Sequence, residues 1–130
     1  MGSAPVRLVL PWPPSVNRIW RSVVIRGAVR VLMSRDGREY RQAVIAALRG
    51  CTQAAAAFSR PVEVEIRAYQ PDHRRRDLDN VLKAALDALT HAGVWDDDNR
   101  VADLRIVRMM PSDRPRLEVT IAECRVVDCS

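Results

Sequence analysis

Alternating apolar and charged positions predict the strands of this chain. Over residues 62–68, Val62, Val64 and Ile66 alternate with charged side chains, which is the period of a strand buried on one face. Three further apolar runs, over residues 6–10, 101–109 and 116–122, also predict strands, and prolines next to them mark where the strands end or turn. Strands are therefore predicted over residues 6–10, 62–68, 101–109 and 116–122.

Two segments instead repeat apolar residues every three and four positions, the spacing of amphipathic helices. The first follows Ser34, a typical N-cap residue, and stops at Gly50. The second runs over residues 78–89, with Gly93 just past its end. The resulting order β-α-β-α-β-β predicts an α+β fold, a mixed β-sheet with two main helices packed on it. We expect a single domain over residues 1–130, with frayed termini at 1–5 and 124–130.

Residues 15–33 follow neither period clearly. They combine Asn17 and several arginines with scattered valines and isoleucines. We predict a loop here that contains a ragged hairpin.

The cysteines and histidines show no catalytic or zinc-binding spacing. Three cysteines, Cys51, Cys124 and Cys129, are an odd number, so free thiols in a reducing cytoplasm are expected. His73 and His91 are expected on the surface. No run of 18 apolar residues occurs, and we expect neither a membrane partner nor a secretory signal.

Charges are distributed unevenly along the chain. The formal net charge is +5, from 21 basic and 16 acidic residues, and Lys83 is the only lysine. Residues 1–50 carry a net charge of +7, from nine arginines and two acids, whereas residues 51–130 carry −2, from 12 basic and 14 acidic residues. Such a division is typical of proteins that grip polyanions and also bind cations. A solvated arginine-rich surface explains these counts equally well.

Two acidic groups flank the second predicted helix and are candidates for metal binding. Asp77 and Asp79 stand where a strand ends and this helix begins, and three aspartates over residues 96–98 follow it. Helix capping explains either of the first two taken singly, and a solvated acidic turn explains the second group. If the groups meet, their carboxylates ionise together only beside cations. Oxygen ligands without His or Cys favour Mg²⁺ or Mn²⁺ over zinc.

The length of the helix between the two acidic groups limits how they can come together. Because it is roughly 15 Å or more long, the second group reaches the first only if the chain folds back or a partner chain supplies it. Lys83 lies four residues after Asp79 on the same helical face, which Asp87 continues. It either forms a salt bridge there or places an ammonium beside a metal-bound phosphate.

Arginines next to these acids point to a substrate that carries phosphate. Arg74, Arg75 and Arg76 directly precede Asp77, and arginine binds backbone phosphates bidentately. Arg76 can alternatively pair with Asp77 or Asp98 and hold the acids together. Mg²⁺ bound by carboxylates beside such a surface predicts phosphodiester hydrolysis.

Four motifs occur in order along residues 6–123. They are Leu10-Pro11-Trp12-Pro13-Pro14-Ser15 with Asn17-Arg18, Arg75-Arg76-Asp77-Leu78-Asp79-Asn80, Lys83-Ala84 with Asp87-Ala88-Leu89, and Gly93-Val94-Trp95-Asp96-Asp97-Asp98. As an ordered set they resemble the RusA family of Holliday junction resolvases. The resemblance implies an α+β homodimeric endonuclease that binds four-way DNA junctions, depends on Mg²⁺ or Mn²⁺, and nicks two opposing strands symmetrically during recombination and repair.

The resemblance also assigns a site, motif by motif. The family's metal-binding aspartates fall on Asp77, Asp79 and Asp98. Asp97 is the alternative register for the last of these, because this chain has an extra acid in the motif. The active-site lysine falls on Lys83. DNA contacts are predicted from Asn17, Arg18, Arg74, Arg75, Arg76 and Asn80.

Two other functions stay open on the sequence alone. A non-catalytic phage or bacterial DNA-binding regulator needs the arginines but not the clustered acids, and a metal-dependent nuclease can act on other branched DNA. In each case the expected partner is DNA and not a small molecule. The expected location is the cytoplasm, at the nucleoid.

Overall fold

The computed structural model describes residues 5–51, 58 and 60–124, without the side chains of Val16, Asn17 and Asp98. Three α-helices and six strands lie in these residues, and a 3-10 turn at Asp98–Arg100 precedes the fifth strand. Their order is β1 (Val6–Pro11), α1 (Val16–Ile19), β2 (Trp20–Ile25), β3 (Ala28–Met33), α2 (Arg35–Arg49), β4 (Val62–Tyr69), α3 (Leu78–His91), β5 (Val101–Arg108) and β6 (Arg116–Glu123).

Four strands form a mixed sheet in the order β1-β6-β4-β5. The β4 and β5 strands run parallel, whereas β6 is antiparallel to both of its neighbours. The predicted fold class and the order of its main elements are confirmed. The first strand extends one residue further than predicted, because Pro11 pairs with Arg116 in a strand at the sheet edge, where proline is tolerated.

One face of this sheet and the inner faces of α2 and α3 form the core. The alternation over β4 buries Val62, Val64 and Ile66, and β6 buries every second residue against the same core. The predicted N-cap of α2 is confirmed, since the Ser34 hydroxyl accepts a hydrogen bond from the N–H of Gly37 at 3.2 Å. The first acidic group lies at the start of α3, and the second follows its end by several residues.

A separate two-stranded sheet, the β2–β3 hairpin, lies within residues 15–33, where a loop with a ragged hairpin was predicted. The hairpin is confirmed, but its six cross-strand pairs are regular, and the short helix α1 precedes it. Its turn is Arg26-Gly27, and both residues have positive φ angles, of 52° and 77°, as tight hairpin turns require. Cross-strand pairing puts one set of side chains on a face without any charged residue. That uncharged face consists of Trp20, Ser22, Val24, Val29, Val31 and Met33.

Several sequence predictions concern the chain ends and the cysteines. The expected frayed termini lie largely outside the described residues, although the N–H of Cys124 donates to the carbonyl oxygen of Pro61 at 2.9 Å. Cys51 and Cys124 are free thiols, and Cys129 lies outside the described residues. None of the described helices is long and apolar enough to cross a membrane. The domain boundaries stay a prediction.

Candidate active site

Asp77 occupies the N-cap position of α3 but does not cap the helix with its side chain. Its backbone is extended, with φ −79° and ψ 126°, and its carbonyl oxygen accepts hydrogen bonds from the N–H groups of Asn80 and Val81 at 3.2 and 3.4 Å. An N-cap aspartate usually accepts a further bond through its carboxylate, and here that bond is not formed. Helix capping therefore does not account for the exposed carboxylate of Asp77.

Asp79 and Lys83 lie one turn apart on the exposed face of α3. Neither forms an ion pair with any described residue. Asp87, one turn further along, is bound by Arg41 at 2.8 Å. The salt bridge that the sequence spacing allowed for Lys83 is thus not formed, and its ammonium is available to an anionic ligand.

Arg76 pairs with Asp72, four residues earlier in the chain. Its guanidinium donates to the carboxylate at 2.7 Å, and this hydrogen bond, helped by the backbone N–H of Arg74, lowers the pKa of Asp72 to about 2. The same guanidinium lies over the ring of Trp12, 5.9 Å from the ring centroid, within cation–π range. Arg76 therefore pairs with Asp72 and not with Asp77, which the sequence analysis had considered as its partner.

An open groove of about 450 Å³ lies beside Asp77. Arg75 is exposed at its wall and forms no ion pair with the described residues, and Arg74 nearby is likewise exposed. The groove is lined by Trp12, Pro13, Pro14, Ser15, Arg75, Arg76, Asp77, Asn80 and Val81. Four of the six predicted DNA-contacting residues therefore lie in or next to this groove.

The other two predicted DNA contacts lie in α1. Arg18 is bound to Asp36 at 3.2 Å, in an exposed ion pair that contributes little to stability. The side chain of Asn17 lies outside the described residues. The predicted DNA contacts of both residues stay predictions.

The second acidic group follows α3 and is anchored by a buried tryptophan. The Trp95 indole is 1% exposed and donates through Nε1 to the hydroxyl of Thr90 at 2.7 Å. Arg100 binds Asp96 at 2.8 Å, which lowers the pKa of that carboxyl, and Asp97 accepts a hydrogen bond from a backbone N–H at 3.0 Å. Asp98 begins the 3-10 turn, and its side chain lies outside the described residues.

Within one chain the two acidic groups lie at opposite ends of α3. Because β4 and β5 are parallel, the chain must return along the sheet between them, and α3 makes this return. Asp77 lies near the C-terminal end of β5, where Arg108 donates to the carbonyl oxygen of Arg76. Asp98 precedes the start of β5. The 14 residues of α3 separate the two backbones by about 20 Å, too far for one chain to bring Asp98 to Asp77.

The sequence matches the family model of endodeoxyribonuclease RusA over residues 11–122. It is 45% identical over 116 residues to the crossover junction endodeoxyribonuclease of Enterobacteria phage 82 and to that of Escherichia coli strain K12, with 89% of this chain and 92% of each relative covered. A relative in E. coli O139:H28 is 43% identical over the same shares. This chain belongs to the RusA family. The family and the enzyme class predicted from the ordered motifs are thereby confirmed.

The donor set of this RusA-family chain suits a hard divalent cation. Asp77 and Asp79 offer carboxylate oxygens that no described ion pair engages, and such ligands select Mg²⁺ or Mn²⁺. No group of three His, Cys, Asp or Glu side chains among those described could hold a metal ion. The ligand set of Asp77, Asp79 and Asp98, with Asp97 as the alternative, stays a prediction.

Two residues near the groove had no functional role in the sequence analysis. Trp12 carries the cation–π contact with Arg76. The Tyr40 hydroxyl donates to the carbonyl oxygen of Pro11 at 2.8 Å, and burial raises the pKa of this phenol. A tryptophan set among three prolines is the signal that marks the first of them; the second follows the period of α2 and looks like an ordinary core residue.

Proposed function

We propose that this RusA-family chain is an endonuclease that depends on Mg²⁺, or Mn²⁺ in its place, and resolves four-way DNA junctions by paired nicking in recombination and repair. The observation that carries the proposal is the state of Asp77, an N-cap residue whose carboxylate makes no capping bond. Asp77 lines a groove that also contains Arg75 and Arg76. Neither Asp77 nor Asp79 forms an ion pair with any described residue. Because the proposed substrate is DNA, we propose that the enzyme acts in the cytoplasm, at the nucleoid.

Each group of the site has a role that follows from its chemistry. Asp77 and Asp79 hold the cation, which when bound lowers the pKa of water and stabilises the charge of the transition state. Lys83, which has no carboxylate partner among the described residues, neutralises charge that develops on the scissile phosphate. Arg74 and Arg75 bind neighbouring phosphates of the DNA backbone.

Asp98 completes this site from a second copy of the chain. The separation of about 20 Å along α3 favours a site built from two protomers over one built from Asp77 and Asp98 of the same protomer. Antiparallel pairing of two α3 helices about a two-fold axis brings the N-terminal end of each helix to the C-terminal end of the other. A dimer then holds two composite sites, each with Asp98 of the partner subunit, and two sites suit a substrate that needs two symmetric cuts.

The uncharged face of the β2–β3 hairpin supports a homodimer. Val24, Val29 and Val31 on this face are 72%, 71% and 64% exposed, although a two-stranded sheet is marginally stable in water without a covered apolar face. The face carries no charged side chain, so two copies can meet there without the repulsion that a net charge of +5 otherwise causes. The opposite face carries Arg21 and Arg30 and suits DNA better.

Cleavage of a synthetic four-way junction tests the proposed function. The protein is incubated with labelled junction and an excess of unlabelled linear duplex, with Mg²⁺ or with EDTA. We expect Mg²⁺-dependent nicks in opposing strands that the duplex competitor barely reduces. Binding without any Mg²⁺- or Mn²⁺-dependent cut would support the regulator instead, and equal cleavage of linear or flapped DNA would contradict junction selectivity.

A further inference from the structure

The groove beside Asp77 has lining residues suited to a nucleobase. The proposed metal-binding role of Asp77 does not explain why the rest of the groove is lined by aromatic and apolar side chains. Its volume of about 450 Å³ is within the usual range of small-ligand pockets. A phosphate alone needs only cations, whereas this groove also offers Trp12, Pro13 and Pro14. Aromatic and apolar walls next to an arginine suit a planar ring that is attached to a phosphate.

The aromatic wall is held in place before any ligand arrives. The guanidinium of Arg76 lies over the Trp12 ring and is itself fixed by Asp72 at 2.7 Å. The hydroxyl of Tyr40 holds the preceding backbone at Pro11. A base that enters therefore meets a surface of indole and guanidinium that needs no rearrangement, which lowers the entropy cost of binding.

The position of the groove determines which base enters it. Asp77 lines the same groove, so a scissile phosphate at the proposed metal site is next to its opening. The guanidinium of Arg75 at the wall has no ion pair with the described residues and is placed to bind an adjacent phosphate. We propose that Trp12 and Arg76 stack an unstacked nucleobase of a nucleotide that flanks the scissile phosphate, and that Trp12 thereby determines where the enzyme cuts. This inference rests on the proposed nuclease function.

Abasic nucleotides test the inference through cleavage. Junctions are prepared with an abasic nucleotide on one side or the other of the cut, and single-turnover rates are measured for the wild type, Trp12→Ala and Trp12→Phe. On one side, we expect the missing base to slow the wild type by about fivefold to a hundredfold, the range for one base–aromatic stack. Trp12→Ala should be slow on intact DNA and insensitive to the abasic nucleotide, and Trp12→Phe should keep most of the sensitivity.

Tyr69→Ala is the matched control, because Arg116 covers the Tyr69 ring at 4.0 Å in a similar pair that does not line this groove. It should keep the wild-type sensitivity to the missing base. A wild type that ignores abasic nucleotides on both sides, or a Trp12→Ala variant that stays as sensitive as the wild type, would overturn the inference.

A second readout does not depend on cleavage. The flanking base is replaced by fluorescent 2-aminopurine, and emission is measured in complexes formed in Ca²⁺. We expect stronger emission with Trp12→Ala than with the wild type or Tyr69→Ala, because the indole quenches a stacked base. Equal emission in all three complexes would overturn the base site, whereas the expected difference without any cleavage in Mg²⁺ would contradict only the nuclease proposal.

Discussion

The acidic residues at the two ends of α3 differ in what engages them. At the N-terminal end, the carboxylate of Asp77 makes no capping bond, and Asp79 has no ion-pair partner among the described residues. At the C-terminal end, Arg100 binds Asp96, and Asp97 accepts a backbone hydrogen bond. Among the described residues, Asp77 and Asp79 therefore form no ion pair that stabilises the fold, whereas Asp72 and Asp96 each bind an arginine.

Aspartates that form ion pairs within the chain therefore differ from aspartates whose carboxylates can bind a ligand. Asp72 precedes α3 and Asp96 follows it, and each binds the arginine four residues later. Both pairs leave the later acids of their segments to other roles. The comparison therefore predicts that substitutions at Asp77 and Asp79 change chemistry, and that substitutions at Asp72 and Asp96 change mainly local stability.

The largest expected effect is the loss of cleavage in Asp77→Asn or Asp79→Asn. Each substitution removes a charged ligand of a cation that contributes several kcal/mol to the transition state, so the single-turnover rate should fall by more than about a thousandfold. Junction affinity in Ca²⁺ should stay the same or rise, because repulsion toward phosphate is reduced. Asp96→Asn is the matched control, and cleavage by Asp77→Asn at the wild-type rate would remove Asp77 from the site.

Lys83→Ala should have the next largest effect. Loss of one cation beside the reacting phosphate slows cleavage by about two to three orders of magnitude. Because Lys83 has no ion pair with the described residues, the free energy of unfolding should change by less than about 0.5 kcal/mol. A variant that melts earlier but cuts normally would restore a purely structural role for Lys83.

Arg75 and Arg76 are neighbours that should respond differently to salt. Arg75→Ala should reduce the slope of log K against log salt by about one per subunit if its guanidinium, which has no ion pair with the described residues, binds a phosphate as proposed. Arg76→Ala should change the slope less, since Asp72 already neutralises this arginine. Affinities for a fixed junction in Ca²⁺ over a range of salt concentrations give both slopes. Equal reductions in the two variants would contradict the distinction.

The smallest expected effect concerns the Asp72–Arg76 pair and pH. The pKa of Asp72, about 2, is below the ordinary value of 3.8. The pair therefore stabilises the folded state above pH 3.8, and this contribution is lost as the pH falls toward 2. Thermal melting of Asp72→Asn should be slightly below wild type at neutral pH, because the pair is exposed. The difference should shrink through that acidic window; a difference that stays constant to pH 2 would show another cause.

Much of this fold follows from local sequence patterns. The β4 alternation and the helical spacing of α3 are strong because each element buries a single face. The hairpin was harder to predict, since its two strands expose apolar residues that would ordinarily be buried. Its pattern reflects a surface that one chain does not cover, and such a surface has no distinct signature in the sequence.

The site was predictable in composition but not in arrangement. The ordered motifs identified Asp77, Asp79, Lys83 and Asp98 as candidates without indicating which of them one chain brings together. That arrangement depends on the parallel pairing of β4 and β5, a long-range property that sends α3 back along the sheet. Arg76 shows the same limit, since the sequence analysis considered Asp77 and Asp98 as its partners, whereas the structure pairs it with Asp72.

We propose that each active site combines Asp77 and Asp79 of one protomer with Asp98 of the partner subunit. Chains with Asp77→Asn and chains with Asp98→Asn are each expected to be inactive alone. Co-refolded in equal amounts, they form mixed dimers in which one site carries both substitutions and the other carries neither.

Junction nicking by this mixture is the decisive measurement, with an Asp77→Asn and Asp79→Asn mixture as the matched control. The composite site predicts that about a quarter of the sites are restored, and that the products are singly nicked junctions because each mixed dimer has one intact site. The control mixture should stay inactive, since both of its sites are damaged. If the Asp77→Asn and Asp98→Asn mixture is as inactive as the control, each chain builds its own site, and the composite site is contradicted.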